Sequence, residues 1–451
     1  MPHRQPPPLP ASMRQLLAHR RTLLLQGPVG PFFARLACWL GQHGQHVVKV
    51  DFNGGDRWFS GSAPHRLAFR GPESEWTSWL AQLMRRERIE AIVLFGQMRP
   101  LHKQAMQLAA EQGMPVYVFE EGYFRPDYVT LEHGGVNAYS SLPLDAAFYR
   151  HQPEPVSFTP RPTGQRFRKT ALLATKYYLA AIVTRSSFPH HRYHRPLDLR
   201  EGPRWLRGGL RKLLYGWRQR NLLALLGAPE RTHRWFLLPL QVAVDSQIVD
   251  HSHFKDMPTV IREVVASFAQ HAHGDDWLVI KHHPMDRAYT DYAQLISQLA
   301  RELEVSKRVL YVHDLHMPTL LEHCRGVVTV NSTAGLQALL HHVPVCTLGE
   351  CFYAVPGMVD PRPLEDFWQQ PAAIDQALFQ RFAHYAVTST QLNVSFYAGA
   401  PALDATALDT PATDAKPASA PAPTPTDCSW PHDGRAPVPS HSSDLLANHH
   451  L

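Results

Sequence analysis

Lys281-His282-His283-Pro284 sets a cation and two imidazoles directly after the apolar run Trp277-Leu278-Val279-Ile280. Lys281 and His283 together supply charge-assisted donors to a phosphate or carboxylate. Pro284 pushes His283 toward extended backbone, which fixes where its ring points. Asn331-Ser332-Thr333-Ala334-Gly335 follows a second apolar run and opens a helix, Leu336–His341. Its hydroxyls can cap orphan amides, and the same hydroxyls and amides can hold an anion. Asp245-Ser246-Gln247 follows a third run, where a carboxylate acts either as base or nucleophile toward an electrophilic carbon or as an ordinary helix N-cap. Three strand ends carrying these groups point to an anionic ligand.

Two further constellations lie nearer the N-terminus. Glu120-Glu121-Gly122-Tyr123 comes straight after an apolar run at 115–119. Adjacent carboxylates are costly to bury together, so one of them faces solvent or a ligand. Glu121 is a candidate acid/base or acceptor-positioning group; a helix cap or an ion pair with Arg125 is the plainer reading. Gly27-Pro28-Val29-Gly30-Pro31 lacks the spacing of either common phosphate loop. It serves as a tight strand-to-helix turn, or its amides at the helix start meet a phosphate. No metal is expected, because the carboxylates near these motifs lack an i, i+4 ligand pattern.

The elements that hold these groups alternate. Strands are expected at 22–26, 46–52, 89–95 and 115–119, with helices between them, a βαβ spacing that predicts a parallel sheet. A second set begins near 232, where Val260, Ile261, Val264, Val265 and Phe268 share one helical face. At 451 residues the chain exceeds one core. The reading is α/β and GT-B-like, with two Rossmann-like doubly wound domains facing a cleft. Its divisions are a Pro-rich flexible head at 1–20, an acceptor domain at 21–150, a basic, partly helical connector at 151–231, a donor-binding domain at 232–399 and a disordered Pro/Ala-rich tail at 400–451.

Composition narrows the class. The five cysteines form no CxxC or Cys/His pattern, and no apolar run approaches a membrane span. No secretory signal is visible, so a reducing cytoplasm is expected. The net charge of +6 is concentrated: residues 161–220 hold fifteen Lys/Arg against two acids. Within them Arg204, Arg207, Arg211, Lys212, Arg218 and Arg220 mix with Trp205, Leu206, Leu210, Leu213, Leu214 and Trp217. Without a nucleic-acid motif, the choice is between a helix lying on an anionic membrane and a solvated face.

Gly27 to Phe33, Phe52-Asn53-Gly54-Gly55-Asp56 and Phe119 to Pro126 together resemble capsular polysaccharide biosynthesis proteins of the KpsS type. The motifs at 245–247, 281–284 and 331–335 are similar to those shared by that type and its KpsC partners. The resemblance spans about Arg21 to Gly399. It implies a retaining β-Kdo glycosyltransferase that moves the first Kdo from CMP-β-Kdo to a lyso-phosphatidylglycerol acceptor on the inner-membrane surface. It further implies no cofactor and a setting among a KpsC-like transferase and the capsule export machinery. By that likeness Asp245 is the nucleophile, and His283 serves both donor binding and catalysis. Lys281, Asn331, Ser332, Thr333 and Gln337 contact the donor, and Gly27, Gly30, Glu120 and Arg125 the acceptor. Gln337 departs from the Glu that many nucleotide-sugar transferases place against the ribose. A GT-B enzyme using another nucleotide sugar, or a non-catalytic scaffold of capsule assembly, are the alternatives.

Overall fold

The computed structural model describes residues 6–61, 63–164, 167–191, 201–242 and 252–397. In chain order the strands of the first half are β1 (Arg21–Leu24), β2 (His46–Asp51), β3 (His65–Ala68), β4 (Ala91–Phe95), β5 (Val116–Glu121) and β6 (Val129–His133). The second half carries β7 (Trp235–Pro239), β8 (Trp277–Lys281), β9 (Val309–Val312), β10 (Gly326–Thr329) and β11 (Val345–Thr347), and β12 (Gln391–Leu392) follows. The first sheet is ordered β12-β6-β5-β4-β1-β2-β3, the second β11-β10-β7-β8-β9.

Both sheets are buried on two faces, which explains their continuous apolar strands. Leu24, Val93 and Phe119 join Phe33 and Leu36 on one face of the first sheet, while Leu23, Ile92 and Val118 join Trp76 and Leu80 on the other. In the second sheet Leu237, Val279 and Val327 take one face and Leu238, Leu278, Ile280 and Val328 the opposite one. The strand period of two thus feeds a helix layer on each side. Two Rossmann-like halves result. In each, strand order reverses beside the first strand, between β1 and β4 and between β7 and β10, and ligands of such sheets bind outside the strand ends there.

The structure corrects several expectations. β6 pairs antiparallel with β5, and β12 antiparallel with β6, so the first sheet is not wholly parallel. The head is not flexible throughout, because Ala11–Leu17 is a helix whose Met13 and Leu16 lie in the first half's core. The second domain does not run to 399. Helix Gln376–Thr390 carries the chain back, and Val394 and Phe396 pack with Phe32 and Phe119. The tail at 400–451 lies outside the described residues.

Phe52-Asn53-Gly54-Gly55-Asp56 is a seat for the connector. Asn53 Oδ1 accepts from the Asp56 amide at 3.0 Å and caps helix Gly54–Phe59. A Cβ on Gly54 would lie 1.6 Å from Thr184 Oγ1, and one on Gly55 2.6 Å from the Tyr177 ring. Only glycine lets helix Phe167–Val183 come this close. Tyr177 then donates to Asp56 Oδ1 at 2.8 Å.

Candidate functional site

Lys281 ends β8, beside the reversal point of the second sheet, and is 7 % exposed. Its ammonium makes no hydrogen bond to a described residue. Burial pulls its pKa down, Asp314 pulls it up, and Arg287 adds to the lowering. Arg287 is itself ion-paired to Asp314. His283 starts the next turn, and its Nδ1 accepts from the Met285 amide at 3.2 Å. An acceptor Nδ1 leaves the proton of the neutral ring on Nε2, which is then a donor. Burial, reinforced by Lys281, His282 and Arg125, lowers its pKa to about 4, so the ring is neutral at physiological pH. His282 faces the other way: it is buried, with Nδ1 2.7 Å from Tyr311 Oη.

The 331–335 turn sits beside this strand end. Gln241, after β7, bonds Asn331 twice: its Nε2 donates to Oδ1 at 3.0 Å and its Oε1 accepts from the backbone amide at 3.3 Å. That bridge spans the β7/β10 reversal. Ser332 Oγ accepts from the Ala334 amide at 3.2 Å, capping helix Thr333–Leu340. The cap is thus real, and the Gly335 amide is taken up as well, by the Ser332 carbonyl at 3.0 Å. Gly335 is required by Tyr353, whose Oη would lie 2.3 Å from a Cβ there and donates to the Ser332 carbonyl. Gln337 is half-buried one turn on. Asp245, with Ser246 and Gln247, lies outside the described residues.

The first half contributes the end of β5. Glu120 and Glu121 are the last residues of that strand rather than its sequel. Glu121 Oε1 accepts from Tyr397 Oη at 2.9 Å, while Glu120 Oε1 accepts from the Glu121 amide at 3.0 Å. Burial raises the Glu120 carboxyl, and the neighbouring Glu121 adds to this against Arg125 and Arg99. Arg125 Nε donates to the Gly122 carbonyl at 3.0 Å rather than pairing with Glu121. Tyr123, next along, stacks on Phe352 of the second half with ring centroids 3.8 Å apart. The β5 end and the 331–335 turn therefore meet across the seam between the halves, and Arg125 lies near enough to His283 to lower its pKa.

Gly27 and Gly30 stay in the β1 turn. A Cβ on Gly27 would press on the Phe33 ring at 2.6 Å, and Gly30 has φ +117°. Both are explained by turn geometry and packing. Sequence reading passed over Tyr397, Gln241, Tyr353 and Arg99; only Gln241 stood next to a motif. Among the described residues His46, His65 and Glu87 bring possible metal-ligand atoms within 4.8 Å of one another. They lie at the starts of β2 and β3 and the end of a helix, at the opposite end of the strands from the groups above.

This architecture can be set against known proteins. A family profile described as capsule polysaccharide biosynthesis protein matches residues 90–397. The chain belongs to that family. It is 42 % identical over 389 residues to the capsule polysaccharide export protein KpsS of Escherichia coli, covering 85 % of this chain and 98 % of that one. It is 38 % identical over 382 residues to the capsule polysaccharide modification protein LipB of Neisseria meningitidis serogroup A, covering 83 % and 91 %. Among solved structures, Thermosulfurimonas dismutans KpsC, a beta Kdo 2,7 transferase, superposes with a TM-score of 0.38 at 15 % identity, covering 81 % of this chain and 89 % of that one. Membership of the capsule family places the seam's polar groups in a protein of polysaccharide assembly.

Proposed function

We propose that the protein is a glycosyltransferase that initiates the capsule linker, moving one β-Kdo from CMP-β-Kdo to a lyso-phosphatidylglycerol acceptor. The observation that carries this reading is Lys281, a buried cation without a hydrogen-bond partner among the described residues, at the strand end beside the Gln241–Asn331 bridge. Burying such a charge is costly unless a ligand pairs it. A CMP-linked sugar acid brings one phosphate and one carboxylate. Lys281, the Nε2–H of His283 and the hydroxyls of Ser332 and Thr333 are the donors for them, with Gln337 toward the ribose. Charge developing on the departing phosphate is then met by fixed donors in a partly water-excluded seam. No cofactor is needed in this scheme.

Retention assigns two displacements at the anomeric carbon: Asp245 attacks as CMP leaves, then the acceptor oxygen displaces Asp245. Glu121, held by Tyr397, is the base that takes the acceptor proton. The acceptor is a lipid, and the membrane contact is peripheral. No helix among the described residues is long and apolar enough to cross a membrane. Leu210, Leu213, Leu214 and Trp217 instead form an exposed stripe at helical spacing on Glu201–Arg218, with exposed Arg207, Lys212 and Arg218 beside it. Cationic helices of this kind lie at anionic lipid surfaces. A KpsC-like transferase and the export machinery are the partners that follow the product.

The test is CMP release. Purified protein is given CMP-Kdo generated in situ, CMP-sialic acid or UDP-sugars, each with and without lyso-phosphatidylglycerol. Acceptor-dependent release from CMP-Kdo alone supports the reading. Release from another donor transfers the activity to that sugar, and none from any donor leaves a scaffold.

A further inference from the structure

A cavity of about 420 Å³ opens in the first half, separate from the seam groups described above. Its lining includes Gln26, the second residue after β1, and Arg99 to His102, following β4, so it occupies the β1/β4 reversal point where sheets of this order take ligands. The seated helix Phe167–Val183 closes one side with Tyr177 and Tyr178.

The polar groups on its wall are mismatched in a specific way. Arg70 and Arg99 both line it, and among the described residues neither makes an ion pair; each has an aromatic ring near its guanidinium, Phe188 at 5.7 Å and Phe95 at 5.3 Å. Arg99 makes one long bond, to the Gly27 carbonyl at 3.4 Å. Glu73, the carboxylate on this wall, is occupied by Gln104 Nε2 at 2.9 Å. His102 is 1 % exposed. Its Nδ1 lies 2.8 Å from the Gly96 carbonyl, which can only accept, so Nδ1 carries the proton. Nε2 is then a lone pair, and it has no partner among the described residues. Burial, with Arg99 beside it, lowers the His102 pKa to about 3, so protonation does not satisfy that atom near neutrality. A donor is missing on one side and an anion on the other.

We propose that this cavity binds a phosphate ester bearing a free hydroxyl, with the phosphate against Arg99 and Arg70 and the hydroxyl donating to His102 Nε2. Its volume suits a glycerol phosphate headgroup and is small for a nucleotide sugar. As the acceptor's headgroup pocket it rests on the transferase reading above. Arg99 also lies near enough to Glu120 to lower its carboxyl, which sets the cavity next to the β5 end.

The full chain is titrated by calorimetry with glycerol 3-phosphate, inorganic phosphate, glycerol and lyso-phosphatidylglycerol in neutral detergent micelles. Expected are binding of glycerol 3-phosphate and of the lipid, weaker binding of phosphate and none of glycerol. Arg99→Met weakens the two esters at least tenfold and the rim variant Arg70→Gln several-fold, while Lys281→Met leaves them unchanged. His102→Phe removes the preference for the ester over phosphate. Should Arg99→Met misfold, the rim variant and the ligand ranking still decide. Equal binding of phosphate and ester, esters indifferent to Arg70→Gln, or esters lost in Lys281→Met would overturn the proposal. CMP-Kdo turnover fails separately: Arg99-dependent ester binding in a protein that releases no CMP sinks the transferase reading and keeps the pocket.

Discussion

Tyr123 and Phe352 stack with ring centroids 3.8 Å and planes 19° apart, and this pair ties the carboxylate end of β5 to the hydroxyl turn after β10. Tyr123 is fixed from behind, donating to Glu132 Oε1 at 2.6 Å and accepting from the Asn137 amide at 2.8 Å. Phe352 is followed by Tyr353, which holds the Ser332 carbonyl. At this point the halves meet through a packed aromatic contact, while an exposed ion pair, Arg150 to Asp375 at 3.3 Å, joins them elsewhere.

Phe352→Leu leaves the Tyr123 bonds in place and removes the stack. Such pairs contribute about 0.5–1.5 kcal/mol beyond area burial. A stability loss of about that size plus the buried area is expected in urea denaturation, with turnover falling more than substrate binding. Unchanged turnover would separate the seam from catalysis.

Lys281→Met separates function from stability. Donor affinity falls roughly ten- to hundredfold, as for a lost hydrogen bond to a charged group. Stability holds or rises, since the buried ammonium makes no hydrogen bond among the described residues and its removal relieves desolvation. Calorimetry with CMP and a denaturation curve read both; a variant that binds CMP normally would remove Lys281 from the donor site.

Tyr397→Phe removes the donor to Glu121 and lowers turnover about tenfold, while Glu121→Gln lowers it by about a hundredfold or more, the scale of general acid–base catalysis. Equal turnover in both variants and wild type would leave the β5 carboxylates structural.

The basic helix separates into two kinds of cation. Arg211 is structural: it donates to the Arg287 carbonyl at 2.8 Å and pairs with Asp291 at 3.5 Å. Tyr215 stacks on His313 with centroids 3.7 Å apart, which anchors this face to the second half. The side chains of Arg204, Trp205 and Leu206 lie outside the described residues. Replacing Arg207, Lys212 and Arg218 by Gln releases the protein from phosphatidylglycerol vesicles, at about 1 kcal/mol per cation. Activity on detergent-dispersed acceptor is kept. Co-sedimentation indifferent to these changes or to salt would make the stripe an ordinary surface.

His313 carries an acid-sensitive contribution. Burial, with His282 next, lowers its pKa to about 4 from an ordinary 6.5. Below pH 6.5 the unfolded chain takes up a proton that the folded one refuses, so this stability is complete above pH 6.5 and is lost as pH falls toward 4. Relative to His313→Asn, the wild type loses up to about 1.4 kcal/mol more per pH unit in that window. Parallel denaturation curves at pH 7.5 and 5.5 would contradict it.

What the sequence made legible follows from what its signals encode. β5, β7, β8 and β10 were readable because strands buried on both faces must be apolar throughout. β3 was not, since this edge strand, His65–Ala68, is half-exposed and carries no clean pattern. Lys281, His283 and the 331–335 turn stood out because each ends its strand or follows it within a few residues. Tyr397 meets Glu121 only because the chain returns across the molecule, a contact no local spacing reveals. Gly54 and Gly55 belonged to a legible motif, yet their constraint comes from Tyr177 and Thr184, more than 120 positions on.

The central claim is tested most directly by the lipid product. Wild-type protein and Asp245→Asn are incubated with in situ CMP-Kdo and a fluorescent lyso-phosphatidylglycerol, and the lipid is analysed by mass spectrometry. The account predicts a lipid carrying a single added Kdo from the wild type and none from Asp245→Asn at the same fold stability. An unmodified lipid from the wild type, beside a control transferase that consumes the same CMP-Kdo, would contradict it.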